Sequence, residues 1–428
     1  MKLGEIRMKR SAKFGVIATL LLSLVMTACG NESSSSNGDK SKSDVVKIEF
    51  FQQQGEEAIQ NAYREVIADF TKEYPKIGID MNTVPDPVKV LTSRFATNDI
   101  PPLFTDYPTQ LQFKEKVENG YIENLSDQPF IKEINKKYLD MTPANDGGYY
   151  SLPYARNYMA VYYNIDLFEQ NDVKIPTTYA EFIEACKLFE SKGITPLYLP
   201  LKDIGHIFQA TNIAFAPGGV EEMAKEAKGE GQVEGNPVFL EFAKKLKELT
   251  EYANKDAFGV SAQMMQEAFA KGQAAMIISG SYGRGNIKLV NPNLKFGAFA
   301  LPNDTLDTTT VLSGVNASLS ISAKAKPEEK EAALTFLKYL ARPEVAQKWS
   351  DLSGEPSIIN GTTYGDQYLQ PILDFIDKGN AHDWMSSTIP SAIVTELYST
   401  TQGYLINNDT PEQYLKNIDD TIKLNAVK

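Results

Sequence analysis

Six pairs of positions in this chain combine residue types and placement that suit ligand recognition. They are Gln53 and Gln54, Asp106 and Tyr107, Arg156 and Asn157, His206 and Phe208, Ser281 and Tyr282, and Glu355 and Trp384. Amides, carboxylates and guanidinium groups exchange hydrogen bonds with hydroxyls, while flat aromatic rings cover apolar ring faces. That mixture suits a polyhydroxylated ligand such as a sugar. Most of these residues follow runs that read as strands, and in open α/β sheets ligands sit at the carboxyl ends of strands. Plainer readings stand beside this one. The two glutamines fit a solvated loop, Trp384 fits core packing, and Glu355 in Ser-Gly-Glu-Pro fits a turn cap.

Other chemistries find little support. His206 and His382 are the only histidines, and no His/Cys or His/Glu spacing suits a transition metal. Walker A, GxGxxG and GxSxG patterns are absent, which disfavours nucleotide, dinucleotide and α/β-hydrolase chemistry. SYGRGN around Arg284 lacks the flanks of a phosphate loop. Neither a metal nor a cofactor is expected. A glycosidase acid pair is defined by distance in the fold, so with 55 carboxylates that alternative stays open.

The element that must position the central pair is the stretch YYSLPYARNYMAVYYNIDLF, residues 149–168. Read at period two, both faces are mainly apolar or aromatic, so a strand covered on both sides is expected, as in an α/β sheet. Pro153 lacks a ladder donor, which places the start of the strand after it or the chain at a sheet edge. Arg156 and Asn157 sit within this run and cannot be buried without partners, either a carboxylate elsewhere or a polar ligand.

Around it, strands are expected at 45–51, 77–84, near 101–107, and at 195–199, 273–279 and 296–301. Helices are expected at 56–73, 91–97, 178–191, 261–271 and 327–340, from 344 onward, around 374–378, at 391–404 and after Thr410. This alternation predicts an α/β fold whose sheets are mostly parallel with right-handed crossovers. The run VLSGVNASLSI, 311–321, is expected to cross back to the first part of the chain.

A length of 428 residues exceeds one typical core and favours two lobes. Lys2, Arg7, Lys9, Arg10 and Lys13 precede an apolar run over 14–26, which reads as an export signal and is too short for a stable membrane span. Translation from Met1 or from Met8 would give a complete signal. Its removal takes five basic residues and one acidic from a formal charge of -12, leaving the mature chain near −16 and giving no footing for nucleic acid. NESSSSNGDKSKSD, 31–44, reads as a polar tether. Cys186 recurs with Tyr179, Phe182, Ile183 and Phe189 at helical spacing and is expected in a core.

LPYARNYMAVYYNIDLFEQ followed by IPTTYAEFIEACKLFESKGITPL resembles the central segment of extracellular solute-binding proteins of carbohydrate ABC transporters, the maltose- and multiple-sugar-binding type. The matching elements are Pro153, Arg156 and Asn157, the apolar strand ending in Asn164, Pro176, and the Thr-Tyr-Ala-Glu helix start at 178–181. Met26-Thr27-Ala28-Cys29 resembles a bacterial lipobox with Met in place of Leu, which implies lipidation of Cys29; cleavage elsewhere is the alternative.

The resemblance implies a two-lobe periplasmic-binding-protein-like fold of type II, each lobe a mostly parallel sheet flanked by helices and joined by a hinge. Its divisions would be a signal at 1–28, a tether at 29–44, first-lobe segments at 45–153 and 312–347, and second-lobe segments at 154–311 and 348–428. Asp106 and Tyr107 match a family loop position, and Tyr282 stands where the family has Gly-Ser/Pro-Trp. The implied protein is a monomeric, non-enzymatic surface lipoprotein on the outer face of the cell membrane. It would meet the membrane only through its lipid, bind an oligosaccharide by hinge closure, and deliver it to the permease subunits of an ABC importer. A lipid-anchored glycosidase or glycan-modifying enzyme is the alternative.

Overall fold

The computed structural model describes residues 45–426; the expected signal, Cys29 and the tether lie outside them. Strands run in chain order as β1 (Val46–Phe51), β2 (Ile77–Asn82), β3 (Leu103–Asp106), β4 (Arg156–Asn164) and β5 (Leu197–Tyr198). They continue as β6 (Met276–Gly280), β7 (Phe296–Phe299), β8 (Val311–Val315), β9 (Ser318–Ile321) and β10 (Ala381–His382). One sheet has the order β2-β1-β3-β9, and the other β10-β8-β4-β6-β5 with β7 also on β4. Helices flank both, so the architecture is α/β with two lobes.

The first sheet is built from β-α-β units. Helix Glu57–Glu73 turns Tyr63, Val66 and Phe70 inward at helical spacing. Tyr63 meets Phe50 of β1 edge-on at 5.2 Å, and Phe70 meets Phe336 of helix Pro327–Leu340 at 5.0 Å. Parallel pairing of β1 with β2 and β3 follows from those crossovers.

The second sheet is mixed rather than mostly parallel. β4 runs antiparallel to β6, β7 and β8, and only the β5–β6 and β8–β10 pairs are parallel. The reason lies in the route of the chain. β4 enters from the first lobe and β8 leaves toward it, so the two run side by side in opposite directions. β4 is buried along nearly its whole length, as its two apolar faces require. The capping box at Thr178 and Glu181 starts helix Tyr179–Ser191, which buries Cys186.

Three passages connect the sheets. Leu152 pairs with Leu319 of β9, and Arg156 with Val315 of β8, so the first passage and the return form one antiparallel ribbon. The third joins it through the bridge between Ala155 and Ser357. The expected change of lobe at 347/348 falls inside helix Pro343–Ser353. That helix stays on the first lobe, with Trp349 against Tyr63 at 5.5 Å and Lys348 paired to Asp69 at 2.6 Å. It ends at Gly354 with φ of 79, and the passage follows. Likewise β8 belongs to the second sheet through Val315, so the return falls at Asn316 and Ala317 rather than at 312.

Candidate functional site

Where the strand ends of the two sheets face each other lies a cavity of about 320 Å³. The first lobe supplies Gln53, Gln54 and Glu56 from the loop after β1, and Tyr107 from the end of β3. Gln53 is held there by its backbone N–H donating to Thr105 Oγ1 at 2.9 Å and by its side-chain amide on the Thr105 carbonyl. The second lobe supplies His206 and Gln209, Tyr282, Trp384 and Tyr398, with Asn157 and Asn316 forming the floor. A second cavity of about 190 Å³ shares Gly55, Glu56, His206 and Tyr282 with the first.

His206 is the centre of the aromatic wall, 5.4 Å from Tyr282 and 6.2 Å from Trp384 between ring centroids. Burial lowers its pKa, which favours the neutral imidazole. Tyr282 follows β6 through Gly280 and Ser281, a turn that aims its ring across the cavity while its hydroxyl approaches Met159 Sδ at 3.4 Å. The Trp384 indole N–H donates to Asn157 Oδ1 at 3.0 Å. Tyr398 accepts from Gln209 Nε2 at 2.7 Å, pinning two helices that both reach the cavity. Behind Asn316, whose Nδ2 donates to both its oxygens, lies the fully buried Glu355. Burial, reinforced by the charge of Glu56, pushes the Glu355 carboxyl up to about 8, and burial also raises Glu56.

Seven of the twelve expected residues therefore come together around the cavity: Gln53, Gln54, Tyr107, Asn157, His206, Tyr282 and Trp384. The others do not line it, each for a definable reason. Arg156 alternates with Asn157 along β4 and points to the opposite face, where it meets the Tyr138 hydroxyl and Asp377 Oδ1 at 2.9 Å. That face carries its own polar cavity of about 480 Å³. Asp106 is engaged by Lys116 at 2.6 Å and by the N–H of Tyr107 at 2.9 Å.

Phe208 sits two residues, or about 200°, around its helix from His206. It packs against Phe242 and Tyr398 with no exposed surface. Ser281 is buried beneath the turn, and its hydroxyl meets no partner. Glu355 acts from behind Asn316. Conversely, Glu56, Gln209, Asn316 and Tyr398 line the cavity without having been singled out. Asn316 carried a usable signal, an amide inside the apolar run 311–321, of the same kind that marks Asn157. Gln209 and Tyr398 carried none, because polar residues are ordinary on helices.

The arrangement offers amide groups and aromatic faces from two lobes to one compartment, with Glu56 the carboxylate on its wall. Comparison with known proteins agrees with that chemistry. A family model described as bacterial extracellular solute-binding protein matches residues 65–368. The multiple sugar-binding protein of Streptococcus mutans is 28% identical over 412 residues, 94% of this chain and 95% of that one. A solved structure of the solute-binding protein RafE in complex with raffinose superposes with a TM-score of 0.80 at 25% identity, covering 89% of this chain and 99% of that chain. Apo RafE from Streptococcus pneumoniae gives 0.72 at 26% identity, covering 90% and 99%.

Proposed function

Because the chain belongs to the bacterial extracellular solute-binding proteins, we propose that it captures an oligosaccharide between its lobes and presents it to the permease subunits of an ABC importer. The observation that carries this reading is the cavity of about 320 Å³ walled from both lobes by amides and aromatic rings. A ligand shifts a conformational equilibrium only by what it contacts better in one state. Gln53, Gln54 and Tyr107 on one side, with His206, Tyr282 and Trp384 on the other, give a sugar contacts that exist together only when the lobes approach. Bending at the three passages is the motion this requires.

The second cavity, continuing past His206 and Tyr282, favours a ligand of more than one ring. Similarity to the raffinose complex makes raffinose and related galactosides the first ligands to try. In this reading the protein works as a monomer, held at the outer face of the membrane by lipid on Cys29, with no catalytic step. The glycosidase alternative gains nothing from Glu355, whose oxygens are both occupied by Asn316.

A melting-temperature screen of raffinose, stachyose, melibiose and maltooligosaccharides tests the proposal. A ligand at about 100 times its Kd stabilises by about 2.7 kcal/mol. A clear upward shift with one group of sugars is expected. Failure of every sugar to shift the melting curve, or hydrolysis of a chromogenic glycoside, would overturn it.

A further inference from the structure

A chain of hydrogen bonds joins the connecting passages to the aromatic wall. Asn316 Nδ2 donates to the two oxygens of Glu355 at 2.6 and 2.7 Å. Asn316 Oδ1 accepts from Asn157 Nδ2 at 3.2 Å and from the Ala317 N–H at 2.7 Å. Asn157 Oδ1 in turn accepts from the Trp384 indole at 3.0 Å. Glu355 comes from the third passage, Asn316 from the return, and Asn157 from the start of β4 beside the first.

A primary amide has one donating end and one accepting end, so fixing one end dictates what the other offers. Glu355 lies fully buried and accepts from the donor end of Asn316. That leaves the accepting end for Asn157, whose own acceptor then faces the indole N–H. Turning either amide over would set donor against donor at Trp384 or at Ala317, inside a site where an unmade hydrogen bond is costly.

We propose that Glu355 is a positioning residue for Trp384: by fixing the orientation of the Asn316 and Asn157 amides it sets the indole that walls the cleft. Its consequence for affinity rests on the reading of that cleft as a sugar site, but the positioning itself can be measured without any sugar.

The chain has two tryptophans, Trp349 and Trp384, so incorporation of 5-fluorotryptophan gives two fluorine resonances, which Trp384→Phe assigns. With the Glu355 carboxyl ionised, in spectra and titrations at pH 9, Glu355→Gln replaces one of its two acceptor oxygens with an amide donor facing the Asn316 donor. The Trp384 resonance of the unliganded variant is expected to move, and its affinity for raffinose to fall about tenfold, the effect of about one hydrogen bond. Adding Asn316→Asp exchanges donor and acceptor between the two positions and is expected to return the Trp384 resonance to its wild-type position. A folded Glu355→Gln protein with an unmoved Trp384 resonance overturns the proposal. If that variant does not fold, the exchanged pair decides alone. A wild-type resonance supports the proposal, and a displaced one overturns it. Absence of raffinose binding by the wild type counts against the sugar reading, while the fluorine spectra still decide the positioning.

Discussion

The Tyr282 ring lies so close over Gly280 that a Cβ on the glycine would fall 1.9 Å from its Cε1. No methyl group fits there, so Gly280→Ala must push the ring off its seat and away from His206. Binding of the cognate sugar is expected to weaken at least tenfold, with a lower melting temperature. Isothermal titration and melting curves on one preparation check both, and unchanged binding would remove the ring from the recognition surface.

Tyr282 itself is 8% exposed and serves both cleft and core. Tyr282→Ala is therefore expected to cost about 2 kcal/mol in binding, as an aromatic anchor does, and about 3–5 kcal/mol in stability. Tyr282→Phe loses only the contact with Met159 Sδ and is expected within about 0.5 kcal/mol of wild type in stability. Tyr282→Trp has no room beside Gly280 and is expected to destabilise by about 1–3 kcal/mol. Denaturant titration of the three variants gives the ranking, and a Trp variant as stable as wild type would contradict the packing.

Glu355 predicts how stability depends on pH. Its ordinary value of 4.5 is raised to about 8 in the fold, by burial first and Glu56 second. Between those values the native state holds a proton that the unfolded chain releases, so the contribution to stability is complete below 4.5 and lost as pH rises through 8. The slope from one such group is about 1.4 kcal/mol per pH unit. Glu56, raised by burial, acts in the same direction. Urea midpoints measured from pH 5 to 9 are expected to fall, and Glu355→Gln to flatten the fall. A variant with the wild-type slope would place the titration elsewhere.

On the far side of the passages, Arg156 and Lys137 both meet Asp377 Oδ1 at 2.9 Å. Lys137 belongs to first-lobe helix Lys136–Leu139 and Asp377 to second-lobe helix Gln370–Asp377, so the contact spans the lobes. Asp377 is half exposed and its attraction is screened. Asp377→Asn is expected to cost about 1 kcal/mol at low salt and less at high salt. Melting in low and high salt measures this, and a salt-independent effect would rule out the ion pair as its cause.

The anchor is tested by Cys29→Ser. The substituted protein is expected to leave the membrane fraction for the medium, while the purified domain binds sugar as before. Retention in the membrane fraction would exclude lipid attachment at Cys29.

Much of this architecture was legible from residues alone, and the failures share a cause. A run apolar on both faces along 149–168 marks β4, Pro153 marks its lower limit, and the capping pair Thr178 and Glu181 marks the next helix. Those are local signals. Whether Arg156 or Asn157 faces the cleft is a matter of strand phase relative to a partner sheet, which local sequence does not carry. Phe208 and His206 show the same ambiguity around a helix. Strand direction in the second sheet depends on the route between lobes. The helix through Ser353 was missed as a first-lobe element because its evidence, Trp349 against Tyr63, is long-range.

The pairing of Leu103 with Ile321 and of Asp106 with Ser318 sets an order of assembly. β3 must wait for its neighbour β9 until nearly all of the second lobe's first segment has been synthesised between them. Helix Pro327–Leu340, whose Phe336 packs against Phe50 and Phe70, arrives later still. A newly made chain thus spends its early life with an unpaired strand edge and an uncovered aromatic face. Contacts so distant along the chain close slowly, and the exposed edge invites misassociation meanwhile. Refolding yield should fall steeply with protein concentration, and chains ending before Ser318 should aggregate even though they contain β1, β2 and β3 intact.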